Sequence, residues 1–216
     1  MSATRDAMLA RIRAATARES KSGSDLYGGL ARAYTRTGNL EAAARHALLI
    51  ERLHEYDAEV TECSPQDLPA TIAAQIADSG HRVLVAPSGL PPDWLAPVAE
   101  WRIDGGLTHE EIESADGVVT AAFCAVADSG TIVLHHSATE GRRVLTLLPD
   151  WHLCVLRASQ VVETLPEYFA RCATPPSLVT FISGPSATAD IEMTRIKGVH
   201  GPRFLSVILV RDDGNP

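Results

Sequence analysis

Residues 117–134 read GVVTAAFCAVADSGTIVL. Two apolar runs, Gly117–Ala127 and Thr131–His135, flank the polar step Asp128-Ser129-Gly130. Apolar segments joined by three residues ending in Gly predict a hairpin, with Gly130 at positive φ. Working outward, strand and helix signals alternate. Toward the N-terminus lie strand candidates Ala58–Thr61, Arg82–Ala86 and Trp101–Ile103. Between them fall helix candidates from Ser64-Pro65 to Ile76, Asp93–Ala99, and Glu110–Ser114 with Thr108 as its cap. Toward the C-terminus lie strands Val144–Leu148, His152–Leu156, Leu178–Ser183 and Phe204–Val210, with helices near 165–172 and 188–197. The strands are apolar throughout, which is the pattern of a sheet covered on both faces. The expectation is an α/β fold, a sheet flanked by helices with a hairpin extension.

Upstream, residues 4–18 carry Met8, Leu9 and Ile12 at helical spacing, and residues 19–37 are Ser/Gly-rich and weakly patterned. Residues 40–57 form an amphipathic helix through Leu49, Leu53 and Tyr56, with Asn39 as its cap and Glu41 in its first turn. This divides the chain into an N-terminal helix and flexible arm, 1–38, and an α/β domain, 39–216. The arm is the segment that a partner would order.

Composition narrows the function classes. The 216 residues hold 19 Lys plus Arg and 27 Asp plus Glu, a formal charge of −8. A nucleic-acid-wrapping role needs clustered positive charge, which is missing here. No apolar run approaches the ~18 residues of a membrane span. Arg5, Arg11, Arg13, Arg18 and Lys21 are not followed by an apolar stretch, so no secretory signal is expected. Cys63, Cys124, Cys154 and Cys172 lack CxxC or zinc-finger spacing and are expected as reduced thiols. Closely spaced thiolates are what an iron–sulfur cluster requires, so this chain is expected to bind none. No metal site is expected either: His135 and His136 are adjacent on a strand and point to opposite faces.

Three loops could carry chemistry. Asp128-Ser129-Gly130-Thr131 is either a turn whose polar side chains cap the backbone or a ligand loop at a strand end. Ser183-Gly184-Pro185-Ser186-Ala187-Thr188-Ala189-Asp190-Ile191-Glu192 reads as strand, loop, then helix start, where N–H groups and hydroxyls can hold an anion. Asp190 and Glu192 would either satisfy that helix start or touch a ligand. Neither a Walker loop, GxGxxG nor GxSxG is present. In Gly198-Val199-His200-Gly201-Pro202, His200 either packs or serves as a general acid or base.

The blocks GVVTAAFCAVADSGTIVL (117–134), GRRVLTLLPDWHLCVL (141–156), ISGPSATADIE (182–192) and GVHGP (198–202) together resemble the LUD domain, as found in the lactate utilization protein C (LutC/YkgG) family. The resemblance covers roughly residues 40–212 by the order and spacing of the blocks. It implies a fold similar to sugar-phosphate isomerases and coenzyme A transferases. It also implies a cytoplasmic, cluster-free accessory subunit that works with iron–sulfur lactate utilization subunits in oxidising L-lactate to pyruvate. The ligand it implies is a small carboxylate or a phosphate-bearing molecule. By residue, the resemblance carries over to Asp128, Ser129, Gly130 and Thr131 and to Ser183, Gly184, Pro185, Ser186, Asp190 and Glu192 as ligand contacts; the reading of the loops themselves adds Thr188 and His200. Asp128 stands where a Glu is common, and Ala187 where many relatives carry Arg. No agreed catalytic residue transfers; Glu192 and His200 are the candidates. The alternative is a free-standing enzyme of coenzyme A transferase or isomerase type, with Glu192 as nucleophile.

Overall fold

The computed structural model describes residues 3–17, 27–172, 174–188, 196–197 and 201–211. It divides into two compact units, Met1–Tyr34 and Thr35–Pro216. In the first, helix α1 (Ala3–Thr16) buries none of its residues. There the Arg32 guanidinium lies 4.5 Å from the Tyr27 ring centre and donates to the Tyr27 carbonyl at 3.0 Å.

The second unit is the α/β body. In chain order it holds α2 (Ala42–Glu55), β1 (Glu59–Cys63), α3 (Leu68–Ser79), β2 (Val83–Pro87), β3 (Glu100–Asp104), α4 (His109–Glu113), β4 (Gly117–Ala121), β5 (Cys124–Val126) and β6 (Thr131–Leu134). There follow β7 (Trp151–Arg157), β8 (Val161–Val162), α5 (Leu165–Arg171), β9 (Thr180–Ile182), β10 (Ala187–Thr188), β11 (Ile196–Lys197) and β12 (Phe204–Val210). Six strands form one parallel sheet in the order β1-β12-β7-β4-β2-β3. Four more form a second sheet, β8-β5-β6-β9, antiparallel except for the β5–β8 pair.

The apolar character of β7 follows from its central place. Leu153 and Val155 pack on the side of α3, against Ile72 and Ile76. Cys154 and Leu156 face the other way, toward Leu49 and Leu53 of α2 and toward Ala125 and Ile132 of the second sheet. Both faces are covered, so no polar alternation is tolerated. Each such fully buried Leu or Ile contributes about 2 kcal/mol by removal from water. The helix boundaries are set locally. Thr108 and Glu111 form a reciprocal capping box at α4, and at α5 the Glu167 carboxylate accepts from the Thr164 N–H at 2.8 Å. Gly80, at φ 73°, ends α3 in the left-handed conformation.

The predicted hairpin is present: β5 pairs with β6 from Cys124↔Val133 to Val126↔Thr131, and Gly130 has φ 58°. The run 117–127 is, however, two strands in two sheets, parted at Ala122-Phe123. The segment 144–148 is not a strand. Arg143–Thr146 is a 3-10 turn, because β7 already has β4 and β12 on its two sides and offers it no edge. A 3-10 turn, Pro92–Trp94, stands where a helix over 93–99 is predicted. Glu41 rather than Asn39 holds the N-cap position of α2, without a side-chain capping bond, and α3 begins at Leu68 after a Ser64–Asp67 turn in which the Ser64 hydroxyl donates to Asp67 at 2.7 Å.

The helix predicted over 188–197 is also overturned at both described ends. Thr188 and Ile196 are extended and pair antiparallel, β10 with β11. The helix-start reading of the 183–188 loop falls with it. Asp190, Glu192 and His200 lie outside the described residues.

Candidate functional site

The second sheet delivers the polar loops to one place. β6 and β9 pair antiparallel, Ile132↔Ile182 to Leu134↔Thr180, so Thr131 at the start of β6 comes opposite Ser183 just past β9. The hydroxyls of Ser129, Thr131 and Ser183 form a chain, with 2.8 Å at each link. Gly184 then turns the backbone at φ 83°, close against Tyr56. Beyond it, the Ser186 N–H donates to the Pro202 carbonyl at 2.8 Å. The loops 128–131, 183–188 and 201–202 are thereby tied in series.

A cleft of about 370 Å³ opens beside this chain of contacts. Residues 180–187 form one wall, Gly201, Pro202 and Leu205 a second, and Arg143, Thr146, Leu147 and His152 a third. The cleft sits at the amino ends of β7 and β12, where His152 and Leu205 are second residues, and at the carboxyl end of β9.

Of the residues singled out from the sequence, Ser183, Gly184, Pro185 and Ser186 line the cleft directly. Asp128, Ser129, Gly130 and Thr131 do not line it; they are the hairpin turn, and Ser129 and Thr131 brace Ser183 from behind. The Asp128 N–H donates to the Glu163 carbonyl at 3.0 Å, which fixes the turn against β8. Thr188 has its backbone in β10.

Four polar lining residues were not anticipated. Arg143 follows Arg142, and the two have different fates. Arg142 makes a bidentate pair with Asp104, at 2.8 and 2.7 Å, and Asp104 is held below the usual carboxylate range chiefly by that contact. Arg143 is exposed, and among the described residues no carboxylate pairs with it. An unpaired guanidinium in a cleft is a fork for a carboxylate or phosphate. His152 is 1% exposed, and burial pulls its pKa down to about 4, so the ring is neutral at pH 7. Its Nε2 lies 2.8 Å from the Thr120 hydroxyl. The signal for it was a lone polar residue inside the apolar strand WHLCVL. Thr146 is buried in the 3-10 turn. Thr180 pairs its hydroxyl with His136 Nε2 at 2.8 Å, and His136 Nδ1 lies 3.0 Å from the Gly141 carbonyl. His135, next in the chain, turns to the Tyr168 hydroxyl at 3.0 Å instead. Among the described residues, no three His, Cys, Asp or Glu side chains gather as metal ligands, and no helix is long and apolar enough to cross a membrane.

The family model of the LUD domain matches residues 46–210, which takes in the whole cleft and both sheets. The chain belongs to the LUD domain family. Lactate utilization protein C of Deinococcus radiodurans is 40% identical over 164 residues, 74% of this chain and 76% of that protein. Lactate utilization protein C of Bacillus subtilis is 37% identical over 134 residues, 57% of this chain and 55% of that protein. The crystal structure of a DUF162 family protein from Deinococcus radiodurans matches at a TM-score of 0.69 and 35% identity, covering 80% of this chain and 99% of that one. The LUD domain is thus the α/β body described above, and α1 lies outside the matched segment.

Proposed function

We propose that this chain is the cluster-free subunit of a cytoplasmic assembly that oxidises L-lactate to pyruvate, and that it holds a small carboxylate in the cleft. Electron transfer then takes place on iron–sulfur partner subunits, since the four cysteines here have no cluster spacing. The names of the relatives support the metabolic setting. One observation carries the ligand class: Arg143, which no carboxylate pairs with among the described residues, shares a cleft with Ser183 and Ser186. A guanidinium neutralises the carboxylate charge and hydroxyls complete its hydrogen bonds. A cleft of this size, lined by apolar residues with a handful of polar groups among them, is of the kind that takes small organic ligands.

The test has two arms. Calorimetric titration of the purified chain with L-lactate and pyruvate should show binding, and Arg143→Ala should weaken it at least tenfold. Deleting the gene should impair growth on L-lactate. No binding of either acid removes the ligand assignment, and unimpaired growth removes the metabolic one.

A further inference from the structure

The hydrogen-bond polarity of Thr180 is fixed by the residue behind it. A carbonyl oxygen can only accept, so the 3.0 Å contact between His136 Nδ1 and the Gly141 carbonyl places a proton on Nδ1. In the neutral ring Nε2 is then an acceptor. With the ring in that form, the Thr180 hydroxyl, 2.8 Å away, donates to it. Its only proton is spent there, and what Thr180 has left for the cleft it lines is a pair of acceptor lone pairs. The imidazole is held in this pose from both sides, and His136 itself sits in the left-handed region at φ 56°, one of two non-glycine residues there among those described. A non-glycine residue in that region costs free energy that the surrounding contacts must offset.

A hydroxyl that accepts but cannot donate discriminates between two related acids. An α-hydroxy carboxylate carries an O–H that can donate to Thr180. An α-keto carboxylate presents a carbonyl oxygen at the same carbon, which can only accept and would face the Thr180 oxygen lone pair to lone pair. We propose that Thr180, with its proton held by His136, selects an α-hydroxy carboxylate over its α-keto counterpart in this cleft. Arg143 supplies affinity common to both acids. Thr180 is the specificity residue, and His136 is a positioning residue that acts through it. The inference rests on the carboxylate-cleft reading and adds to it the oxidation state of the ligand.

The experiment is calorimetric titration of the full chain with L-lactate and with pyruvate, in the wild type and in Thr180→Val, Thr180→Ser, His136→Asn and Arg143→Ala. Asn tolerates the left-handed backbone at 136 but is too short to hold the Thr180 proton. The wild type should bind L-lactate about tenfold more tightly than pyruvate, the worth of one hydrogen bond. Thr180→Val should lose that preference by weakening L-lactate and leaving pyruvate no weaker, and Thr180→Ser should keep it. His136→Asn should narrow it by strengthening pyruvate, because Thr180 can then donate to the keto oxygen. A merely structural role for either residue would weaken both acids together and leave their ratio alone. If both acids bind, Arg143→Ala weakens both, and the ratio is the same in Thr180→Val as in the wild type, the selectivity assignment is overturned while the cleft reading stands. If neither acid binds the wild type, both are overturned.

Discussion

Thr131 and Ser183, fifty-two positions apart in the chain, share a hydroxyl–hydroxyl hydrogen bond of 2.8 Å. It is the junction between the β5–β6 turn and the loop that walls the cleft. Thr131 is 7% exposed, so its loss is not made good by water. Thr131→Val, which keeps the shape and removes the hydroxyl, should destabilise the fold by about 1–2 kcal/mol and weaken ligand binding although residue 131 does not touch the cleft. Urea denaturation and titration with L-lactate measure the two effects. A variant with full stability and full binding would show that the junction carries no load.

Burial holds His152 neutral, with its pKa near 4, whereas an unfolded chain's imidazole titrates near 6.5. Above pH 6.5 the ring is neutral in both states and the native state has its full stability. As pH falls toward 4, the unfolded state takes up a proton that the native state refuses, and stability is lost. At pH 5 the loss from this one ring is about 2 kcal/mol. His81 and His135, also lowered chiefly by burial, act in the same direction. Urea denaturation at pH 7 and pH 5 should therefore show a smaller drop in His152→Gln than in the wild type. Equal drops would mean that the buried ring is not held neutral.

Gly130 and Gly184 occupy left-handed backbone where a side chain also finds no room. A Cβ on Gly130 would stand 2.7 Å from the Cβ of Arg52, and one on Gly184 would strike Tyr56. Each Gly→Ala change should cost about 1–3 kcal/mol. Only Gly184→Ala should also reduce L-lactate binding beyond what its stability loss explains, since it displaces a cleft wall. Comparison of the two variants at a temperature where both are folded separates strain from site geometry.

The thiols should divide by burial. Burial pushes Cys124 and Cys154 up to about 12, and raises Cys63 as well. Cys172 is only half-buried. At pH 8 a disulfide reagent should modify Cys172 in the native protein and reach Cys124 and Cys154 only after denaturation, because the thiolate is the nucleophile. Rapid native modification of Cys154 would contradict its place between the two packed layers.

The sequence carried the α/β class well because β7 and β12 are buried on both faces, which leaves continuous apolar runs that cannot be mistaken for a half-exposed sheet. The β5–β6 hairpin was equally legible, since the polar step ending in Gly130 parts two apolar runs, although the turn takes in Ala127 as well. The division of 117–127 was not. Ala122 and Phe123 are as apolar as their neighbours, and nothing in composition marks where a strand leaves one sheet for another. The 144–148 segment failed for a related reason: five residues that read Val-Leu-Thr-Leu-Leu fit strand or turn, and the decision was made by β4 and β12 occupying both sides of β7. At the site, the serine loop was legible from its Gly and Pro content. Arg143 was not, because only the Asp104 contact separates the role of Arg142 from that of its neighbour. Thr180 was hidden inside an ordinary strand, and its chemistry is set by His136, forty-four positions away.

The parting at Ala122-Phe123 has a mechanical result. The Ala122 N–H donates to Val155 in the six-stranded sheet at 3.1 Å, and the very next N–H, that of Phe123, donates to Val133 in the four-stranded sheet at 3.0 Å. With no slack residue between these two amides, neither layer can swing away without tugging the other. In deuterium exchange, the slowest amides of both layers should accordingly be released in one shared opening event, making the pair a single foldon rather than two lobes about a hinge.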